Sequence, residues 1–125
     1  MLEVLPIQDK NEQEAIANLC GVPFRTELLA YKALVDGELR GICQFKMNAE
    51  GGSIIDFANV PEKYEFEPMF VMGRAALNFI DLCGVHRAYV DAKIDNQLGK
   101  IYQIFPKNFG EYFFLFYIVK LLHLW

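Results

Sequence analysis

Three kinds of side chain in this chain of 125 residues could do chemistry: a carboxylate in an apolar run, two histidines and three cysteines. Asp56 lies inside the apolar run Ser53–Ala58. Burial there would raise the pKa of the carboxyl group, which would suit a residue that accepts a proton near neutral pH. If the strand alternates, the side chain would instead point to solvent. We treat His86 and His123 as lone histidines without a carboxylate partner close in sequence, and we expect structural or surface roles for both.

The cysteines favour a structural interpretation. Cys20, Cys43 and Cys83 are far apart, and no pair has the short spacing of a zinc or redox motif. Each lies in an apolar context, so we expect buried thiols. An odd number of cysteines suits a reducing compartment, and the first five residues do not resemble a secretory signal. The sequence therefore predicts a cytoplasmic protein.

Composition and charge narrow the class of protein. Hydrophobic residues make up 54% of the chain, enough for the core of one domain spanning residues 1–125. The net charge is −4 and the basic residues are scattered, which argues against a nucleic-acid partner. The apolar segment Tyr112–Trp125 is shorter than the roughly 20 residues of a membrane span. We expect a buried terminal strand there, with a tail that contacts a membrane surface or a partner as the alternative.

The first half of the chain predicts a strand, a helix and a three-stranded meander. Glu3–Ile7 is strand-like, and Asp9 with Glu12 forms the capping-box pattern of a helix start. The apolar face of that helix would be Ala15, Ile16, Leu19 and Cys20, and Gly21 would end it. The meander strands are Leu28–Val35, Leu39–Met47 and Ser53–Ala58, with a hairpin turn at Asp36-Gly37 between the first two.

The second half predicts two more helices, each followed by a strand. The first helix spans Glu67 to Cys83, with Pro68 at its first position and Gly84 as its stop. Its apolar stripe is Met69, Met72, Ala76, Phe79, Ile80 and Cys83, and its opposite face is Arg74, Asn78 and Asp81. The remaining elements are a strand at His86–Val90, a helix at Asn96–Phe105 and a strand at Phe113–Val119. This order predicts an α/β (α+β) mixed sheet with helices on both faces.

Two local patterns accompany this order. Leu39-Arg40-Gly41-Ile42-Cys43-Gln44-Phe45 follows the turn Asp36-Gly37-Glu38, and Gly73-Arg74-Ala75-Ala76-Leu77 leads to Cys83-Gly84-Val85. Over nearly the whole chain, the order and the two patterns together resemble the GNAT superfamily of N-acetyltransferases. The resemblance implies a single GNAT-like domain.

The resemblance also implies a place for acetyl-CoA. Backbone groups near the end of the fourth strand, at Phe57, Ala58 and Asn59, would hold the pantetheine arm. The pyrophosphate would lie at the start of the following helix, where free N–H groups and the helix dipole attract an anion. Gly73 and Arg74 would contribute there, although Gly73 could equally be a packing glycine and Arg74 a solvated one.

The chain departs from the family's phosphate loop, in which Gln or Arg is followed by x-x-Gly-x-Gly or Ala. Pro68 stands at the Gln or Arg position and Val71 at the first glycine. Glu62, Glu65 and Glu67 crowd the same segment, and carboxylates repel a pyrophosphate.

A second family pattern, Asn-x-x-Ala followed by a tyrosine, is matched in part by Asn96 and Tyr102. In the family this tyrosine commonly protonates the CoA thiolate, and Asn96 would lie beside the cofactor. Tyr102 is therefore a candidate acid, or else an amphipathic residue at the edge of the core. Asp56 is the candidate base.

Two functions remain open. The first is transfer of an acetyl group from acetyl-CoA to an amine of a small molecule or a peptide. The alternative is a catalytically inactive GNAT-fold module that binds a ligand or a protein. An apolar C-terminal edge would favour a homodimer.

Overall fold

The computed structural model describes residues 1–90. Within them the elements follow the predicted order. They are β1 (Leu2–Pro6), α1 (Lys10–Leu19), β2 (Leu29–Val35), β3 (Glu38–Asn48), β4 (Gly51–Asn59), α2 (Phe66–Leu82) and β5 (Ala88–Val90). The helix predicted at Asn96–Phe105 and the strand at Phe113–Val119 lie outside the described residues.

The strands form one mixed sheet in the order β1-β2-β3-β4-β5. The first four strands are antiparallel neighbours. Short turns join β2 to β3 and β3 to β4, whereas the connection from β1 to β2 contains α1. β5 pairs in parallel with β4, over Gly52–Ile54. A parallel pair needs a long crossover, which α2 provides. The mixed sheet predicted from the sequence is therefore confirmed.

The two helices cover opposite faces of this sheet. Side chains on β3 alternate between the faces, because successive residues of a strand point in opposite directions. Ile42 packs with Ile16 and Ala17 of α1. Phe45 packs with Met69 and Met72 of α2. The predicted layering is thus confirmed, with the larger apolar core under α2.

The start of α1 agrees only in part with the predicted capping box. The Asp9 carboxylate accepts a hydrogen bond from the Asn11 N–H at 2.8 Å, as a capping residue does. Glu12 does not complete the box in the predicted manner, because its carboxylate accepts from Lys32 of β2 at 2.6 Å. The helix is therefore held to the sheet by an ion pair at its first turn.

The predicted apolar face of α1 was wrong at two of its four positions. Ala15 and Leu19 are exposed, whereas Gln13 and Ala17 are buried together with Ile16. The true buried face has the helical spacing i, i+3, i+4. Its first member is a glutamine. A prediction based on apolar side chains alone therefore assigned the wrong face of the helix to the core.

The assignments on α2 need three corrections. The helix begins at Phe66, so Pro68 is its third residue and not its first. Asp81 is buried, although it was predicted on the polar face, because it lies one turn beyond buried Leu77. Cys83, predicted to be buried, is exposed just beyond the last helical residue. None of the helices within residues 1–90 is long and apolar enough to cross a membrane.

Gly41 lies where β3 packs closely against both β4 and α2. A Cβ atom added there would lie 2.7 Å from the carbonyl oxygen of Ala58 and 2.8 Å from the Met69 sulfur. The Ala58 oxygen belongs to the backbone and has little room to move. Position 41 therefore has no room for a side chain between the end of β4 and Met69.

We expect Gly41→Ala to lower the free energy of unfolding by about 1–3 kcal/mol, because the added methyl group overpacks this junction. Urea denaturation measures the change. Lys46→Ala, on the exposed side of the same strand, should stay within about 0.5 kcal/mol of the wild type. An unchanged stability for Gly41→Ala would contradict the close approach.

Candidate active site

A bulge in β4 determines where its carboxylate points. Gln44 of β3 is opposite Asp56, but the next residue, Phe45, is opposite Ile54, so Ile55 is an extra residue on β4. The extra residue lets Ile54 and Phe57 both pack toward α2. Asp56 is left on the α1 face of the sheet. Without the bulge it would share the face of Ile54 and enter the apolar core.

The Asp56 side chain is buried, with 1% of its surface exposed. Its Oδ2 atom accepts a hydrogen bond from Nε2 of Gln44 at 2.8 Å, and Gln44 is itself fully buried. A buried carboxylate is costly unless such donors surround it. Of the two orientations considered for Asp56, the buried one is therefore the one observed.

Asp56 is one end of a polar chain that crosses the α1 face of the sheet. We use "polar chain" for Lys10, Gln13, Gln44 and Asp56. Gln13 Nε2 donates to Gln44 Oε1 at 2.9 Å, and Lys10 Nζ donates to Gln13 Oε1 at 3.1 Å. The chain thus connects the first turn of α1 to the strand that carries the candidate base.

The polar chain also holds the loop between α1 and β2. Gln44 Nε2 donates to the Pro23 carbonyl oxygen at 2.8 Å. The Leu28 carbonyl oxygen accepts from Lys10 Nζ at 2.6 Å and from Gln13 Nε2 at 3.2 Å. Both ends of the segment from Pro23 to Leu28 are therefore bound to buried amide side chains.

Two of the three thiols are buried and unreactive. Cys43 lies on the strand position next to Gln44, and burial together with the nearby Asp56 charge raises the pKa of its thiol. Burial also raises the pKa of Cys20 to about 11. Both thiols are protonated at neutral pH, and a protonated thiol is a poor nucleophile. Within residues 1–90, no three His, Cys, Asp or Glu side chains group in a way that could hold a metal ion.

The start of α2 is the predicted seat of a pyrophosphate. Its N-cap residue, Glu65, makes no side-chain capping hydrogen bond. The first backbone N–H groups of the helix are thus left without a side-chain cap, which favours an anion there. Glu67 in the first turn opposes an anion, and Pro68 has no N–H to offer.

Four charged residues surround this helix start, and we call them the charge cluster: Glu38, Arg40, Lys63 and Glu65. Arg40 Nη1 lies 3.1 Å from the Glu65 carboxylate and 3.7 Å from that of Glu38. Lys63 Nζ lies 3.0 Å from Glu38. The hydrogen bond from Lys63, reinforced by the charges of Lys63 and Arg40, lowers the pKa of Glu38. Arg40 is a cation at the helix start that the sequence analysis did not select.

The cofactor-binding residues predicted on β4 occupy the end of the strand that leads to this helix start. Phe57 has a buried side chain, so only its backbone can face a ligand. Ala58 is half-buried on the α1 face. The Asn59 side-chain amide donates to the Val60 carbonyl oxygen at 2.8 Å. The Val60 N–H donates to the Arg40 carbonyl oxygen at 2.8 Å, which joins the strand end to the charge cluster.

The predicted residues beyond β4 are more dispersed. Gly73 is buried inside α2 and Arg74 is half-buried, eight residues after Phe66. Eight residues correspond to about 12 Å along a helix axis. Pro68, Val71 and Gly73, the positions aligned with the family's phosphate loop, all lie within the helix rather than in a loop before it. Asn96 and Tyr102 lie outside the described residues.

The prediction of a lone His86 was wrong. Its Nδ1 lies 2.5 Å from Oδ1 of buried Asp81, across the turn at Gly84 that ends α2. The pair adjoins a cavity of about 610 Å³ at the end of the sheet opposite the start of α2. The cavity is lined by Ala49, Glu50, Gly84, Val85, His86, Arg87 and Tyr89.

Solved structures show which proteins share this architecture. The ribosomal-protein-S18-alanine N-acetyltransferase from Escherichia coli matches with a TM-score of 0.62 and 10% identity, over 90% of this chain and 88% of that one. The PaiA N-acetyltransferase from Thermoplasma acidophilum, in complex with coenzyme A, matches with a TM-score of 0.58 and 14% identity, over 90% and 96%. No protein-family model matches the chain, and no curated protein matches its sequence. The protein has a GNAT-like fold, as its sequence predicted.

We expect the three thiols to differ in reactivity. With Ellman's reagent at pH 8, exposed Cys83 should react quickly, whereas Cys20 and Cys43 should react only after unfolding. Cys83→Ser is the control, and it should remove the fast phase. A second fast thiol in the folded protein would contradict the burial of Cys20 or of Cys43.

Proposed function

We propose that the protein is an N-acetyltransferase that transfers an acetyl group from acetyl-CoA to an amine of a small molecule or a peptide. One observation carries the proposal. The bulged strand β4 carries a buried carboxylate, Asp56, and is followed, after the connector of residues 60–65, by a helix start without a side-chain cap. The likeness of the fold to two N-acetyltransferases, one of them in complex with coenzyme A, supports it.

The donor would lie along the end of β4 and the start of α2. Backbone groups of Phe57, Ala58 and Asn59 would hold the pantetheine arm, and the pyrophosphate would face the first N–H groups of α2. Arg40 would then exchange its contact with Glu65 for a phosphate oxygen. Gly73, Arg74 and Asn96 remain predicted contributors from the resemblance, although Gly73 and Arg74 lie about two turns beyond the N–H groups that would face the pyrophosphate.

The transfer itself is a direct attack by the amine on the thioester carbonyl carbon. A C–N bond forms, and the amine proton passes to Asp56, directly or through one water. The tetrahedral intermediate would then collapse with cleavage of the C–S bond, and Tyr102 would protonate the thiolate. Proton exchange with solvent would restore Asp56 and Tyr102 for the next turnover. The products are an amide and free CoA. The amine would approach from the α1 side of the sheet, beside the loop at Phe24, because the Asp56 carboxylate faces that side.

We expect Asp56→Asn to lower the rate of acetyl transfer by about 10²- to 10⁴-fold, because an amide of the same shape cannot accept the proton. The dissociation constant for acetyl-CoA should not change. Initial rates of CoA release and calorimetric titration measure the two quantities. Glu50→Gln, on the exposed β3–β4 turn, is the matched control. A fully active Asp56→Asn enzyme would remove Asp56 from the mechanism.

A second candidate function is a GNAT-fold module that binds a ligand or a partner protein without catalysis. The charge cluster and Glu67 favour this candidate. The Glu65 carboxylate engages the neighbouring cation, Arg40, and Pro68 supplies no donor. If these contacts persist in the presence of acetyl-CoA, the helix start cannot hold a pyrophosphate.

Acetyl-CoA binding separates the two candidates. The enzyme should gain roughly 2.7 kcal/mol of stability at about 100 times the dissociation constant, measured as a rise in Tm. Glu67→Gln should tighten binding about two- to fivefold, since it removes a negative charge from the helix start. Glu14→Gln, exposed on α1, should leave it unchanged. No rise in Tm at millimolar acetyl-CoA would exclude the enzyme and leave the binding module.

Location and assembly remain predictions from the sequence. The three cysteines are free thiols, which fits a reducing cytoplasm. The C-terminal edge proposed for a homodimer lies outside the described residues.

A further inference from the structure

We propose that Gln44 is a positioning residue that fixes the acceptor loop, the segment from Pro23 to Leu28, to the proton acceptor Asp56. This inference rests on the proposed function, because it assigns a role to Gln44 within the same reaction. Its basis is a single buried amide group that contacts both the loop and the carboxylate.

Hydrogen-bond counting fixes how the Gln44 amide must point. An ionised carboxylate only accepts, and so does a carbonyl oxygen, so both partners require N–H donors. The Nε2 group has two hydrogens, and one goes to Asp56 Oδ2 and the other to the Pro23 oxygen, each at 2.8 Å. Both hydrogens are used, and the amide has no second orientation that keeps the two bonds.

Gln13 locks this orientation from the other side. Because Nε2 of Gln44 already donates to Asp56 and Pro23, its Oε1 atom faces α1, where Gln13 Nε2 donates to it at 2.9 Å. The second hydrogen of Gln13 goes to the Leu28 oxygen at 3.2 Å, and Lys10 completes the chain. The orientation of both amides in the polar chain is therefore fixed by three acceptors, the Asp56 carboxylate and the carbonyl oxygens of Pro23 and Leu28.

The consequence is a fixed distance between the loop beside the acceptor and the atom that takes its proton. Gln44 and Gln13 are both fully buried, so solvent cannot replace these bonds. A misplacement of about 1 Å can cost 10²-fold in rate. Loss of Gln44 should therefore act on the acceptor and on turnover, while the donor site at the start of α2 is untouched.

A double-mutant cycle tests this role. Gln44→Met keeps the approximate shape and removes all three hydrogen bonds of the amide, to Asp56, to Pro23 and from Gln13. It should lower kcat/KM for the amine by about 10- to 100-fold with KM for acetyl-CoA unchanged. In the Asp56→Asn background the same change should have less than a twofold effect, because Gln44 acts through Asp56. Effects that multiply in the double variant, or a raised KM for acetyl-CoA, would overturn the proposal.

Lys32→Met is the matched control, because it breaks the other polar contact between α1 and the sheet, the Lys32–Glu12 pair. It should change kcat/KM by less than twofold. Gln13→Met serves if Gln44→Met does not fold. It breaks the next bond of the polar chain, and its effect should be smaller and in the same direction.

Hydrogen exchange of the loop provides a measurement that does not depend on activity. The amides of residues 24–28 should exchange faster in Gln44→Met and stay as in the wild type in Lys32→Met. Unchanged exchange in Gln44→Met would overturn the proposal even in an active enzyme. A wild type that transfers acetyl to no amine would instead refute the proposed function, and the exchange rates would still decide whether Gln44 holds the loop.

Discussion

The hydrogen bond between the buried Asp56 carboxylate and the Gln44 amide is the interaction on which this account depends. A charge inside a protein is tolerated only with donors around it. The β4 bulge turns Asp56 toward α1, and α1 in turn buries Gln13 instead of an apolar residue. The helix, the loop and the bulged strand are thus connected by one buried set of hydrogen bonds around Asp56 and Gln44.

Sequence patterns predicted the positions of the elements but not the rotation of α1. The turn at Asp36-Gly37, the glycines after both helices and the apolar runs located every element within residues 1–90. The rotation of α1 could not be found, because its buried face begins with Gln13 and apolar spacing cannot identify a polar core residue. Gln13 does lie at the i position of an i, i+3, i+4 set with Ile16 and Ala17, but that spacing indicates a buried face only when a glutamine is allowed as a core residue.

Other parts of the site depend on contacts between distant segments. The sheet face toward which Asp56 points depends on a bulge in β4. The run Ser53–Ala58 contains no glycine or proline from which that bulge could be predicted. Arg40 reaches the start of α2 only because β3 and the end of β4 are paired. The Asp81–His86 pair forms across the turn at Gly84, so a search for adjacent residues does not detect it.

The helix start explains why the fold alone does not decide the activity. Its uncapped N–H groups favour an anion, whereas Glu67 and the missing N–H of Pro68 oppose one. The balance of these opposing effects on an anion at the helix start distinguishes the two proposed functions. Fold is shared between the two, and only the residues at this site distinguish them.

The most direct test of this account is the backbone amide NMR spectrum of isotope-labelled protein titrated with coenzyme A. The account predicts that the resonances that shift will belong to Ala58, Asn59, Phe66 and Glu67, at the end of β4 and the first turn of α2. Shifts confined to the cavity at His86 and Tyr89, or none at millimolar coenzyme A, would contradict it.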